Sequence, residues 1–301
     1  MEWLRRLIEA LFGGRPPERQ APSVARKYDL RSADGVRAVQ QLLSRLGYLD
    51  PPPDGKFGST TQWAIGEVLS FDPIETPDDE RLTRELYAAR DLIITTSGDD
   101  LASRVSAAML RRGHWICRHP QCVNIAYVKG MDVFGGRTND APDEWNDVCV
   151  VFSVDSGGAP RVIGRWQATV DPGRVYVQQP INAKGAARIK PGQYKAWRVG
   201  THRGQHEALV QTGGVVTVYR DANRDYSGEG DAEETGYFGI NQHGGYDLGL
   251  VGRASAGCLV RRFMNEHAQF MNAVKQDARY KFSRGGYVFM TSILTADDLE
   301  V

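Results

Sequence analysis

The sequence predicts an α+β multidomain chain, with a small helical unit near the N-terminus and a larger β-rich unit after it. Three observations carry this reading. Apolar residues recur at helical spacing between residues 36 and 68. From residue 149 onward that period gives way to short β-branched and aromatic runs separated by Gly- and Pro-containing turns. The chain has 301 residues, enough for one large or two to three small domains. Its 37 Lys and Arg balance its 37 Asp and Glu, so charge offers no basis for a nucleic-acid partner or an anionic membrane. No apolar run approaches the roughly 20 residues that span a bilayer.

Residues 1–24 read as an amphipathic helix and a linker. Trp3, Leu4, Leu7, Ile8, Leu11 and Phe12 form one stripe, opposite Glu2, Arg5, Arg6 and Glu9. The expected role is docking on the protein's own body; a membrane surface or a partner protein is the other reading. Charges interrupt the apolar stretch and no small-residue cleavage site follows cleanly, so this is not a secretory signal. Gly13-Gly14 and Pro16-Pro17 mark the linker.

Residues 25–75 form the helical unit. Val36, Val39, Gln40, Leu42, Leu43 and Leu46 share a helix face, and Gly47-Tyr48 stops that helix. Asp54-Gly55-Lys56-Phe57-Gly58 is a turn. Ser59 or Thr60 caps a second helix carrying Trp63, Ala64, Ile65 and Val68. Leu46, Tyr48 and Phe57 are expected in the core. After a polar, proline-containing joint, residues 76–115 read as a helical connector in two pieces split near Thr95-Thr96-Ser97-Gly98, with Ser97 or Asp99 capping the second.

Residues 116–301 are the β-rich unit. Strands are expected at 150–154, 161–164, 166–170, 194–199, 215–219 and 287–290, and one helix at 266–277. Within it lies the most reactive combination in the chain. His243-Gly244 is followed by Ser255-Ala256-Gly257-Cys258, with the cysteine fifteen residues after the histidine. A thiol needs a base to become a nucleophile near neutral pH, and glycines let backbone N–H groups approach a substrate carbonyl. Cys258 is read as the nucleophile and His243 as its base. Gly257 and Cys258 supply oxyanion N–H groups, and the Gly244 carbonyl orients the imidazole. Ser255 braces the loop or bonds substrate. Arg253, Arg261 and Arg262 are candidate holders of a substrate carboxylate. Tyr246 and Trp197 serve equally as groove or core residues.

These residues resemble the L,D-transpeptidase family of peptidoglycan enzymes, whose signature is a His-Gly pair, a glycine-containing loop and Ser/Thr-His-Gly-Cys. His243-Gly244, Gly249, Gly252, Ser255, Gly257 and Cys258 fall in that order. The family's histidine two residues before the cysteine is Ala256 here, and its Arg or Asn two residues after is Val260. Pro191-Gly192-Gln193-Tyr194 resembles the turn that precedes the family's substrate groove. Residues 28–69 resemble the three-helix peptidoglycan-binding domain. The matching motifs are Val36-x-x-Val39-Gln40-x-x-Leu43, Leu46-Gly47-Tyr48, Asp54-Gly55-Lys56-Phe57-Gly58 and Thr61-x-x-Ala64. Together the resemblances imply a wall-binding domain joined to an L,D-transpeptidase-like domain acting on stem-peptide bonds, with peptidoglycan as partner and no cofactor. Hydrolysis is favoured over transpeptidation. The alternatives are a non-catalytic wall-binding component of a phage or injection apparatus, and a cysteine enzyme acting on a non-wall amide. Such a chain is made in the cytoplasm and reaches the wall or periplasm by a non-standard route.

Three further patterns invite metal readings. Cys117 and Cys122, with His114 and His119, lack the tight pairs of a zinc site; a disulfide and idle thiols are the other readings. His202, His206 and Glu207 sit among glycines that oppose a shared helix face. Asp221, Asn223, Asp225 and Ser227 alternate as in a calcium loop, but Tyr226 and Ala232 occupy its glycine and glutamate positions.

Overall fold

The computed structural model describes residues 28–69 and 79–300. The N-terminal helix and linker, and the joint at 70–78, lie outside the described residues.

Helix α1 (Ala33–Leu46) buries Val36, Val39, Leu42, Leu43 and Leu46. Ser32 caps it by accepting from the Gly35 N–H, and Gly47 ends it at φ 93°, a left-handed conformation that glycine adopts without Cβ strain. Helix α2 (Ser59–Leu69) packs Trp63, Ala64, Ile65 and Leu69 against it. Gln40 sets the turn between them. Its amide donates to Asp54 (2.8 Å), the Lys56 carbonyl (3.1 Å) and Thr61 (3.0 Å), while its oxygen accepts from the Gly55 N–H (2.8 Å). Phe57, expected in the core, is instead 39% exposed. Leu46 is fully buried, and Tyr48 is half-buried against the His119 ring.

The connector divides between two bodies. Helix α3 (Asp79–Ala88) places Leu82 and Leu86 in the helical unit's core. Helix α4 (Leu101–Arg111) instead packs Leu101, Val105 and Met109 on the β-rich unit. The cap of α4 is Asp100 rather than Ser97 or Asp99, because its carboxylate reaches the Ala102 and Ser103 N–H groups.

Eight strands close a barrel. They are β1 (Asn124–Lys129), β2 (Asp147–Val154), β3 (Pro160–Thr169), β5 (Gly192–His202), β6 (His206–Gln211), β9 (Gln242–Gly244), β10 (Leu259–Arg261) and β11 (Phe289–Thr295). Around the wall the order is β1-β11-β5-β6-β9-β10-β3-β2. The β1/β11 and β9/β10 pairs are parallel. A three-stranded sheet of β4 (Ala186–Ile189), β7 (Val216–Asp221) and β8 (Ala232–Gly236) lies beside it. Strand β3 runs unbroken through the two segments expected separately.

Strands β1 and β2 are buried on both faces, so they read as near-continuous apolar runs. Ile125, Tyr127, Cys149 and Val151 join the barrel core with Trp197, Leu209 and Phe289. Ala126, Val128, Val148 and Val150 meet α4 outside it. After a short helix α5 (Arg174–Gln178), helix α6 (Met264–Val274) adds Phe270, Met271 and Val274 to the barrel core.

A buried ionic junction joins the helical unit to the barrel. Asp50, fully buried after α1, pairs with Lys195 of β5 (2.5 Å) and Arg279 (3.4 Å), and accepts from the Tyr287 hydroxyl (3.1 Å). Arg279 also pairs with Asp277 at 2.6 Å. Burial opposes the Asp50 charge, but Lys195 and Arg279 outweigh it and hold its carboxyl below the usual range.

Candidate functional site

Parallel pairing of β9 with β10 brings the histidine and cysteine segments together. Gln242 pairs with Leu259, His243 with Val260 and Gly244 with Arg261. Side chains alternate across a strand. Gln242 and Leu259 face the barrel interior, where Gln242 donates to Thr291 at 2.8 Å. His243 therefore shares the outer face with Asn241 and Cys258, which lie one step before their strands. The Leu259 N–H donates to the Asn241 carbonyl at 2.9 Å and continues the ladder to that step.

The loop before Cys258 is held from within. Ser255, fully buried, donates to the Cys258 carbonyl (2.9 Å) and accepts from the Gly257 N–H (3.1 Å). Gly257 has φ 120°, and a Cβ there would overlap the Ala187 carbonyl oxygen of β4. Only glycine fits this approach. The Gly257 N–H, expected to face an oxyanion, is thus engaged by Ser255. The Cys258 N–H has no hydrogen-bond partner among the described residues.

Cys258 is partly exposed. Its Sγ accepts from the Asn241 N–H and lies against the Gly239 carbonyl, each at 3.5 Å. Burial pushes the thiol up, and the Asn241 N–H and the nearby Arg203 charge offset part of that. No hydrogen bond joins Sγ to a histidine among the described residues.

His243 stands two residues along the same face. Its Nδ1 is 3.0 Å from the Gly244 carbonyl. A carbonyl only accepts, so Nδ1 carries the proton and Nε2 is the bare, basic nitrogen. Burial lowers its pKa to about 3, with His202 as the next cause. The two rings stack, centroids 4.0 Å apart and 17° from parallel. His206 and His267 extend the array, with ring centroids 5.6 Å apart.

A cleft of about 420 Å³ opens at Cys258. Ala256, Asn241 and His202 line it near the thiol, with Phe238, Tyr237 and Ile181 as apolar walls and Arg203 and Arg220 as cations. Arg220 is buried and paired with Glu234 at 2.7 Å. Arg203 is exposed and in no ion pair among the described residues.

The expected carboxylate holders lie elsewhere. Arg261 is fully buried, because β10 alternation turns it inward with Leu259. Its guanidinium lies over the Phe270 ring at 3.7 Å and donates to Tyr127 and to His267 Nδ1 (2.8 Å). It cannot reach a substrate. Arg262 pairs with Asp247 at 3.2 Å. Arg253 is exposed, and Tyr246 is 63% exposed with its hydroxyl 3.4 Å from Gln205. None of the four lines the cleft. Trp197 is core, with its indole N–H donated to the Ile240 carbonyl at 2.7 Å. Gly244 makes room for Met264 and His267 of α6.

His202, Arg203 and Asn241 are polar cleft residues that the sequence did not assign to this site; it offered His202 only within a metal pattern. For His202 and Arg203 the signal is the pattern around Gly204: His202 and His206 pair directly across the β5–β6 hairpin, which a strand-turn-strand reading of 192–211 would find.

All four cysteines are free thiols. Cys117 and Cys122 sit buried in the helical unit's core, and Cys122 Sγ is 3.9 Å from His119 Nδ1. Among the described residues no group of three His, Cys, Asp or Glu side chains is placed to hold a metal ion. No described helix is long and apolar enough to cross a membrane.

Residues 32–68 match the family model of the peptidoglycan-binding domain. The chain therefore carries a peptidoglycan-binding domain, made of α1, α2 and the turn between them, ahead of a β-rich domain with an eight-stranded barrel. No curated protein and no solved structure matches the chain.

Proposed function

We propose that this protein is a wall-bound cysteine enzyme of L,D-transpeptidase-like type, acting at the cell wall or periplasm on stem-peptide bonds of peptidoglycan, with hydrolysis as its main outcome. The observation that carries the reading is that Cys258 and His243 share one barrel face, with Cys258 opening onto a cleft and His243 buried behind it, in a chain whose other domain binds the polymer.

In this mechanism His243 Nε2 takes the thiol proton as Sγ attacks the peptide carbonyl carbon. Collapse of the tetrahedral intermediate breaks the C–N bond, and the departing amine receives that proton. The product is a Cys258 thioester. Water then attacks the thioester while His243 removes its proton. The carboxylic acid leaves, and the thiolate regains a proton from His243. An amine in place of water gives transpeptidation. His243 Nε2 is unprotonated at pH 7 and free to accept a proton, but the burial that depresses it also weakens it as a base, and with the raised thiol pKa this counts for the reading without chemistry. The binding domain raises the local concentration of substrate, so its own grip on the wall need not be strong.

The rival reading is a wall-binding component without chemistry. It draws on Ala256 and on the Sγ contacts, which include no histidine. Incubating defined peptidoglycan fragments with the protein and with Cys258→Ala, followed by mass analysis, separates the two. Shortened peptides from the native protein alone support hydrolysis, and cross-linked products move the reading to transpeptidation. Fragments unchanged by the native protein would sink the enzyme reading.

A further inference from the structure

Acyl transfer through a tetrahedral intermediate needs preorganised donors aimed at the oxygen that becomes charged. The cysteine loop supplies fewer than its sequence implies. The Gly257 N–H is held by Ser255 Oγ at 3.1 Å, which leaves the Cys258 N–H as the loop's available donor. At Ala256, the loop's one side chain that lines the cleft beside Cys258, there is only a methyl group. The site therefore lacks a second donor unless another element provides it.

His202, at the end of β5, lines the same cleft. Its tautomer follows from its neighbours. The Gln211 N–H donates to Asn241 Oδ1 at 2.9 Å, which identifies the amide's oxygen end. Asn241 Nδ2 is then the donor toward His202 Nδ1, 3.0 Å away. With Nδ1 accepting, a neutral His202 carries its proton on Nε2. Nε2 has no partner among the described residues and is not sealed from solvent. Asn241 also donates its own N–H to Cys258 Sγ, so one residue sets both the thiol and the imidazole. Stacking on His243 at 4.0 Å fixes the plane of the His202 ring.

The geometry points to the His202 Nε2–H as the second oxyanion donor for acyl transfer at Cys258, supplied across the barrel wall by β5 rather than by the cysteine loop. The inference rests on the acyl-transfer reading of Cys258. A neutral imidazole suits the role, because it donates a hydrogen bond without holding the thiolate in an unreactive ion pair. Burial, followed by Arg203, lowers the His202 pKa to about 4, so the ring is uncharged at pH 7.

Two reactions of the same thiol test this. Acylation by p-nitrophenyl acetate passes through an oxyanion; alkylation by iodoacetamide does not. Both are followed at Cys258 by mass in the full chain and in the His202→Ala, His202→Gln and Cys258→Ala variants. Loss of one oxyanion donor predicts acylation about 100-fold slower in His202→Ala, with alkylation changed less than about threefold. His202→Gln, which restores an N–H donor, recovers part of the acylation rate. Parallel slowing of both reactions would make His202 a base or a scaffold and overturn the proposal; so would unchanged acylation in His202→Ala. Native acylation no faster than in Cys258→Ala would remove the nucleophile itself and the His202 role with it. That failure of the underlying reading shows in a different variant.

Discussion

The buried junction at Asp50 ties the binding domain to the barrel, and Asp50→Asn tests whether it makes the two unfold together. The substitution keeps shape and removes charge. Lys195 loses its 2.5 Å partner, and the Arg279 and Tyr287 contacts at 3.4 and 3.1 Å become bonds to a neutral amide. Arg279 keeps Asp277 at 2.6 Å, so the uncompensated charge is chiefly that of Lys195. Removing one partner of a fully buried pair costs about 3–5 kcal/mol. The Lys195 side chain retains 26% exposure and can turn toward water, which lowers the expected loss to about 2–3 kcal/mol. Urea unfolding followed by tryptophan fluorescence and by far-ultraviolet dichroism measures it. The native chain should unfold in one transition, and the variant at a lower midpoint or with the helical domain melting first. A loss under about 0.5 kcal/mol with a single unshifted transition would refute the coupling.

Gln40→Ala removes the four bonds that shape the Asp54–Lys56 turn. A loss of about 2 kcal/mol and weaker co-sedimentation with peptidoglycan are expected. The histidine array makes stability pH-dependent. His243 is held near 3 in the fold against 6.5 in the unfolded chain, so its contribution is complete above pH 6.5 and declines as pH falls toward 3. At pH 4 the decline for His243 is about 3 kcal/mol. Urea midpoints between pH 7 and 4 should fall accordingly and fall less in His243→Asn; equal slopes would contradict the assignment. Arg203→Ala removes the exposed guanidinium at the cleft, and KM for carboxylate-ended stem peptides should rise about 10-fold with kcat little changed. An unaltered KM would show that substrate carboxylates bind elsewhere.

Much of the helical domain is legible in the sequence because its interactions are local. The Val36–Leu46 periodicity, the Gly47 stop and the Asp54-Gly55 turn depend on neighbours within about four residues or one short loop, and they appear at those positions. Phe57 departs from expectation because its turn projects it outward. Strands β2, β3, β5 and β7 are legible as β-branched runs, and β11 only at its first two residues, but the pairing order of the strands is not, since pairing joins residues far apart in the chain.

The site divides along the same line. By itself the sequence determined that Cys258 follows a glycine-bearing loop fifteen residues after His243, with Ala256 two residues before the cysteine. Only the tertiary structure decided which side of each strand faces the cleft. That turned Arg261 into the barrel core, engaged the Gly257 N–H with Ser255, and brought His202 and Arg203 beside Cys258 from a hairpin more than fifty residues upstream. The physical reason is that spacing along a chain fixes local backbone geometry, whereas a side chain's partners are set by strand register and closure of the barrel.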